Sequence, residues 1–320
     1  MTSSSVYSRV IAAAAVAATL AGAAQSARAA DIGTNLPSPL ARIEAGTLHV
    51  DKYGSGTPAV ILVPGLTCGP WVWESAINAL AASHTVYAVT LPGFDGLPPA
   101  TPPLLDAADA GLLQLITKEH LDRPVLIGHS LGGFLALRFA EEHSDLLRGA
   151  VTVDGWPVFP TYVNMTAEQR KAAARLTAGQ VRDYKDFFAM GQQRALMGLI
   201  TDPQKVSQVA SLAAKSDPDA TAQYLEEMLQ ADLRPALGTI KVPVLALAPV
   251  PDKVPADWPD YAKAMTPDQL TQAIVQFDGS LMGGATSVTV KPIANARHFA
   301  MIDQPEAVNK ALTDFLAGLK

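Results

Sequence analysis

Residues 59–63, 85–91, 124–127 and 149–153 are short, nearly unbroken apolar runs rich in β-branched side chains and bounded by Gly, Pro or polar residues. Runs of that length without polar alternation predict strands covered on both faces. Residues 48–50 carry a shorter run of the same kind. Between these segments, residues 71–82, 107–120 and 131–142 space apolar side chains three and four apart, the signature of helices with one buried face. Strands alternating with helices in this way imply parallel βαβ units with right-handed crossovers.

The texture changes from about residue 158 to 237, where no strand-like run occurs and Ala, Gln, Leu, Met and Lys dominate. Several inserted helices, forming a lid, are expected there. Strand texture returns at 242–247 and 287–293, and an amphipathic helix is expected over 305–319. The whole predicts an α/β fold: a mostly parallel, doubly wound sheet with an inserted helical lid.

The first 29 residues stand apart. A polar start with Arg9 precedes an Ala/Val/Leu run too short for a comfortable membrane span, and Ala27-Arg28-Ala29 offers a small-x-small cleavage pattern. This predicts a signal peptide over 1–29, an exported protein (periplasmic or secreted), and one domain over 30–320 with no membrane span in the mature chain. Export implies an oxidising compartment, yet Cys68 is the only cysteine, so no internal disulfide can form. Cys68 is expected to be a small buried hydrophobe. With 24 Lys+Arg against 30 Asp+Glu, a net charge of -6 leaves no broad cationic surface for phosphates, which argues against a nucleic-acid partner.

The chemistry begins at Gly128-His129-Ser130-Leu131-Gly132-Gly133, between a predicted strand and a predicted buried helix. In that setting G-x-S-x-G describes a sharp turn whose glycines remove collisions and whose serine stands exposed at a helix N-terminus. Together with Leu62-Val63-Pro64-Gly65, Leu91-Pro92-Gly93-Phe94 and Ala296-Arg297-His298-Phe299, in that order, the motif resembles the α/β-hydrolase superfamily over nearly the whole mature sequence.

The resemblance implies Ser130 as nucleophile and His298, after the last strand, as its general base. His129 is expected in the wall of the site rather than as the base. The carboxylate is expected at Asp252, after the strand 242–247, which matches the family's acid position. Asp154, after the preceding strand, is the alternative, because an extra helix at about 258–277 lengthens the stretch between Asp252 and His298. Asp278 is expected in a turn. The backbone N–H groups of Leu66 and Leu131 are expected to form the oxyanion hole.

Trp71, Trp156 and Phe94 are expected around the serine, giving an apolar pocket suited to a neutral, small-molecule ester. No metal-ligand spacing or dinucleotide fingerprint occurs, so neither a metal nor any other cofactor is expected. The expected activity is that of a serine hydrolase, a carboxylesterase forming an acyl-enzyme. The sequence also resembles proline iminopeptidases, for which Glu226 and Glu227 are candidate amine-binding acids, and a non-catalytic binding protein on the same scaffold is a third reading.

Overall fold

A computed structural model describes residues 31–255 and 258–319. The expected signal peptide and its cleavage site lie outside the described residues. Among the described residues eight strands form, β1 (Ala41–Ala45), β2 (Leu48–Tyr53), β3 (Val60–Val63), β4 (Val86–Thr90), β5 (Val125–His129), β6 (Gly149–Val153), β7 (Val244–Val250) and β8 (Val288–Ala294). They make one sheet in the order β1-β2-β4-β3-β5-β6-β7-β8. The β1–β2 and β2–β4 pairs are antiparallel, and every pair from β4–β3 to β7–β8 is parallel.

The central strands β3, β5, β6 and β7 are buried at every position, which explains their continuous apolar sequences: both faces lie under helices. The hairpin strand β1 was not anticipated. Its sequence, Ala-Arg-Ile-Glu-Ala, alternates in and out of the core over only five residues at the sheet edge, where charged side chains face water.

Eleven α-helices occur among the described residues: α1 (Glu74–Leu80), α2 (Leu104–Lys118), α3 (Leu131–Glu142), α4 (Ala167–Asp183), α5 (Phe188–Leu196), α6 (Pro203–Ala213), α7 (Pro218–Gln230), α8 (Asp260–Lys263), α9 (Pro267–Leu281), α10 (Ala300–Asp303) and α11 (Pro305–Gly318). None is long and apolar enough to cross a membrane. The insertion between β6 and β7 holds α4 to α7, and that between β7 and β8 holds α8 and α9. Sequence caps define the starts of α4 and α9. Thr166 accepts from the Gln169 N–H while Gln169 Oε1 accepts from the Thr166 N–H, and Thr266 with Gln269 repeats the reciprocal pair.

Two apolar clusters lie on opposite faces of the sheet, one under α2 and α3, the other under α1 and α11. A third, built on Val158, Val250, Trp258, Ile274 and Phe277, fastens α9 beside the β6 and β7 tips.

Glu227, on α7, is buried. Its carboxylate accepts from the backbone N–H groups of Leu104 (2.9 Å) and Leu105 (2.8 Å), so it satisfies two of the orphan donors at the start of α2. Glu226 pairs with Arg182 at 3.0 Å. Both acids expected to hold a substrate amine are therefore committed to the protein's own donors. Replacing Glu227 with Ala should strand both α2 N–H groups in a buried site and cost about 2–3 kcal/mol, read from the shift in the urea unfolding midpoint at unchanged m-value.

Candidate active site

The strand β5 ends at His129, and Ser130 occupies the bend before α3. Ser130 has φ 53° and ψ -115°, outside the broad allowed regions for an L-residue, so its backbone is held by its surroundings. Its N–H donates to the Val153 carbonyl at 3.0 Å, which continues the β5–β6 ladder by one residue past the strand. A Cβ on Gly128 would collide with the backbone of Gly132, and one on Gly132 with the carbonyl of Val63. The two glycines of the motif are thus required by the closeness of the strand, the helix and the neighbouring β3 tip.

Asp154 stands at the adjacent tip, immediately after β6. Its N–H donates to the Leu247 carbonyl at 3.0 Å, and it too has a positive φ, 49°. The next residue, Gly155, packs against Gly133 and the Ser130 carbonyl so closely that a Cβ would lie 2.8 Å from the Gly133 Cα. The nucleophile turn and the Asp154 turn therefore brace each other.

His298 arrives from the other side of the sheet. After β8 the chain crosses back over the β7 tip, with the Ala296 N–H donating to the Val250 carbonyl at 3.1 Å. His298 Nδ1 meets Asp154 Oδ2 at 2.6 Å, with both side chains largely buried. A carboxylate accepts, so Nδ1 carries the proton and Nε2 is the free ring nitrogen.

The carboxylate partner is thus Asp154 and not the favoured Asp252. β7 continues to Val250, paired with Ala294 of β8, so Asp252 starts beyond the rim and its side chain is exposed. Asp154 lies level with Leu247, three residues further back along β7, where the returning His298 loop passes.

Asp278 also departs from expectation. It lies inside α9, is 3% exposed, and accepts from Trp156 Nε1 at 3.0 Å. Burial, reinforced by the charge of Asp154, pushes its carboxyl up to about 7, against the smaller opposing effect of the Trp156 N–H.

His129 turns out to support the site. Its Nε2–H donates to the His298 carbonyl at 3.0 Å, and its ring lies 4.6 Å from the His298 ring, centroid to centroid. Burial, and secondarily the His298 charge, hold it well below the usual imidazole range, so it stays neutral. Gly65 makes room for it: a Cβ there would lie 2.7 Å from His129 Nδ1 and 3.2 Å from the Ser130 Cβ. The sequence signal for this role was the glycine after Pro64, read only as part of a motif.

Among the described residues, no acceptor engages the backbone N–H of Leu66 or of Leu131. Leu131 opens α3, so its N–H points out of the helix end with the positive end of the dipole. Leu66 lies in the β3 loop, in the turn closed by the Cys68 N–H on the Gly65 carbonyl at 3.1 Å. Cys68 is buried, and burial pushes its thiol pKa up, which disfavours the thiolate.

Two of the three aromatic residues expected around the serine are sealed in the core. Phe94 is fully buried with its ring 5.0 Å from Tyr224, and Trp71 is buried among Cys68, Val72 and Trp73, so both pack the core. Of the three, only Trp156 is partly exposed, and it is tethered to Asp278. Among the described residues no three His, Cys, Asp or Glu side chains converge as metal ligands.

Residues 60–311 match the model of the alpha/beta hydrolase family. The chain belongs to the α/β-hydrolase family. It is 29% identical over 207 residues to a pimeloyl-[acyl-carrier protein] methyl ester esterase of Vibrio atlanticus, covering 63% of this chain and 78% of the relative. It is 26% identical over 213 residues to the putative carbamate hydrolase RutD of Yersinia enterocolitica, covering 64% and 75%. Among solved structures, a thermophilic esterase from Thermogutta terrifontis superposes with a TM-score of 0.66 at 21% identity, covering 87% of this chain and 98% of that one. An enol-lactonase from Burkholderia xenovorans gives 0.64 at 19%, covering 84% and 96%; both share the fold. The relatives are esterases and hydrolases, and this chain is a hydrolase of the same family.

The buried Asp278 has a consequence for stability. Folded, it keeps its proton up to about pH 7, whereas in the unfolded chain it ionises near pH 4. Between those values the folded state holds more protons, so the contribution of Asp278 to stability falls as pH rises, by at most about 1.4 kcal/mol per pH unit. Asp278→Asn should remove this slope. If Asp278 ionised alike in the folded and unfolded chain, the difference in unfolding free energy between the two proteins would be the same at pH 5 and pH 8; the expected outcome is a difference that shifts in favour of Asp278→Asn at pH 8.

Proposed function

We propose that the chain is a serine ester hydrolase that works through an acyl-enzyme, with Ser130 as nucleophile, His298 as general base and Asp154 as its carboxylate partner. The observation that carries this reading is the 2.6 Å hydrogen bond from His298 Nδ1 to Asp154, made beside a strained serine turn. It fixes the tautomer: the protonated nitrogen faces Asp154, and the basic Nε2 is left for the serine hydroxyl. The proton of Ser130 passes to Nε2 as Oγ attacks the ester carbonyl, and returns to the leaving alcohol as the tetrahedral intermediate collapses. Asp154 remains ionised and stabilises the imidazolium formed between these steps. The free N–H groups of Leu131 and Leu66 are suited to hold the oxyanion.

Esters are favoured over peptide amines because Glu226 and Glu227, the acids that an aminopeptidase would need, bind Arg182 and the start of α2 instead. The names of the relatives, a methyl ester esterase and a putative carbamate hydrolase, support an ester or related carbonyl substrate. Export through the amino-terminal segment belongs to the same proposal, and amino-terminal sequencing of protein recovered from the periplasm should begin at Ala30.

Ser130→Ala should abolish both turnover of short p-nitrophenyl esters and labelling by a fluorophosphonate. Asp154→Asn should lower kcat by about 10³–10⁴-fold, as expected when the wrong tautomer is imposed, while Asp252→Asn stays within about twofold of wild type. The opposite ranking of the two aspartates in a p-nitrophenyl butyrate assay would overturn the assignment of Asp154.

A further inference from the structure

The turn that presents Asp154 is gripped from behind by the helix inserted between β7 and β8. Trp156, two residues after Asp154, donates its indole N–H to Asp278 Oδ1 at 3.0 Å, and its ring packs on the cluster of Val158, Val250, Trp258 and Phe277. A glycine links Asp154 to Trp156, and that glycine lies against the nucleophile turn. One carboxyl group on α9 therefore anchors the segment that holds the partner of His298, and it lies close enough to feel the charge of Asp154.

We propose that Asp278 is a positioning residue for the reaction: through Trp156 it holds the Asp154 turn in place, and by ionising it adds a second negative charge behind Asp154 that strengthens His298 as a base. The inference rests on the ester-hydrolase reading of the site. Asp278 touches no substrate and keeps or lacks its proton unchanged through a turnover; the proton moved in catalysis travels only between Ser130, His298 and the leaving alcohol.

Among the described residues, the charged groups on the neighbouring elements are turned to solvent or paired with one another. From the β6 turn, Asp278 faces the Asp154 carboxylate and the Trp156 N–H. β7 contributes apolar residues throughout, and Asp252 and Lys253 beyond its end are exposed. β8 offers Lys291, which pairs with Asp314 at 3.3 Å, and α8 offers Asp260 and Lys263, which pair with each other at 3.2 Å. On α9 itself Asp268 lies in the exposed first turn. With its carboxyl pushed up to about 7, Asp278 changes charge in the range where a histidine base also titrates.

The sign follows from linkage. A second negative charge near Asp154 favours imidazolium over imidazole, so His298 binds a proton more tightly once Asp278 has ionised. In wild type the acid limb of kcat/KM is then spread over two coupled ionisations. Asp278→Asn keeps an oxygen to accept from Trp156 but never carries the charge.

Its acid limb should therefore move down by about one pH unit and follow a single ionisation, and its plateau above pH 8 should fall about three- to tenfold. Trp156→Phe keeps Asp278 but removes the N–H that favours its charged form. In this variant His298 should lose its proton as early as in Asp278→Asn, and only the further rise to the full plateau should be deferred to higher pH.

The test is kcat/KM for p-nitrophenyl butyrate from pH 5 to 10 on the full chain, in parallel with the rate of fluorophosphonate labelling at Ser130 over the same range. A structural role alone would change yield or stability and leave the shape of both profiles as in wild type. Profiles of Asp278→Asn and Trp156→Phe that superimpose on wild type, in turnover or in labelling, overturn the proposal. Failure of every protein to turn over esters, with labelling intact, counts against the ester substrate alone, and the pH–labelling curves then decide the role of Asp278.

Discussion

The arrangement depends on one short hydrogen bond between residues 144 positions apart in the chain. Asp154 and His298 meet because a loop leaving the edge strand β8 doubles back over β7 to the tip of β6. A charge-assisted bond of this length in a largely buried setting is strong, but it tolerates little displacement. The parallel sheet supplies the tolerance required. Consecutive tips of β5 and β6 are in register, so the serine and the aspartate are presented side by side, each on a residue of positive φ.

Around that bond the protein spends several buried groups on support. His129 holds the His298 backbone and stays neutral, Gly65 yields the space for it, and Trp156 ties the Asp154 turn to α9. The insertion between β6 and β7 is attached as well. Asp303, just after His298, accepts from the Thr201 N–H at 2.9 Å and from the Arg297 N–H at 2.9 Å, and the Phe299 N–H donates to the Leu199 carbonyl at 3.2 Å. A movement of the α5–α6 connection would therefore be felt at the His298 loop. The helical insertion and the histidine loop form one hydrogen-bonded unit, which gives the insertion a mechanical route to the site.

The parallel core was legible because each strand is buried on both faces and so is apolar at every position, a pattern that needs no partner to be recognised. The glycines at 128 and 132 were legible for a similar reason: the clash they avoid is local. The edge strand β1 was not, since half of its side chains face water and its pattern is that of any polar segment. Phe94 and Trp71 were placed around the serine by their position after strands. Aromatic side chains at such positions serve packing or binding equally well, and only burial distinguishes the two. Asp278 was read as a turn residue from the glycine beside it, yet the helix that begins with the Thr266 cap runs past both.

By itself the sequence determined the elements and their order, the tight serine bend, and the presence of a histidine after the last strand, because these follow from short-range sterics and from which faces must avoid water. Which aspartate meets that histidine was decided only by tertiary structure. Asp154 and Asp252 both follow strands, and their local sequences are equally suited to the role. The difference is that β7 runs three residues past the level of Asp154 before it ends, carrying Asp252 out to solvent while the returning loop crosses lower down. Strand length and loop path are set by pairing between distant segments, and no local pattern records them.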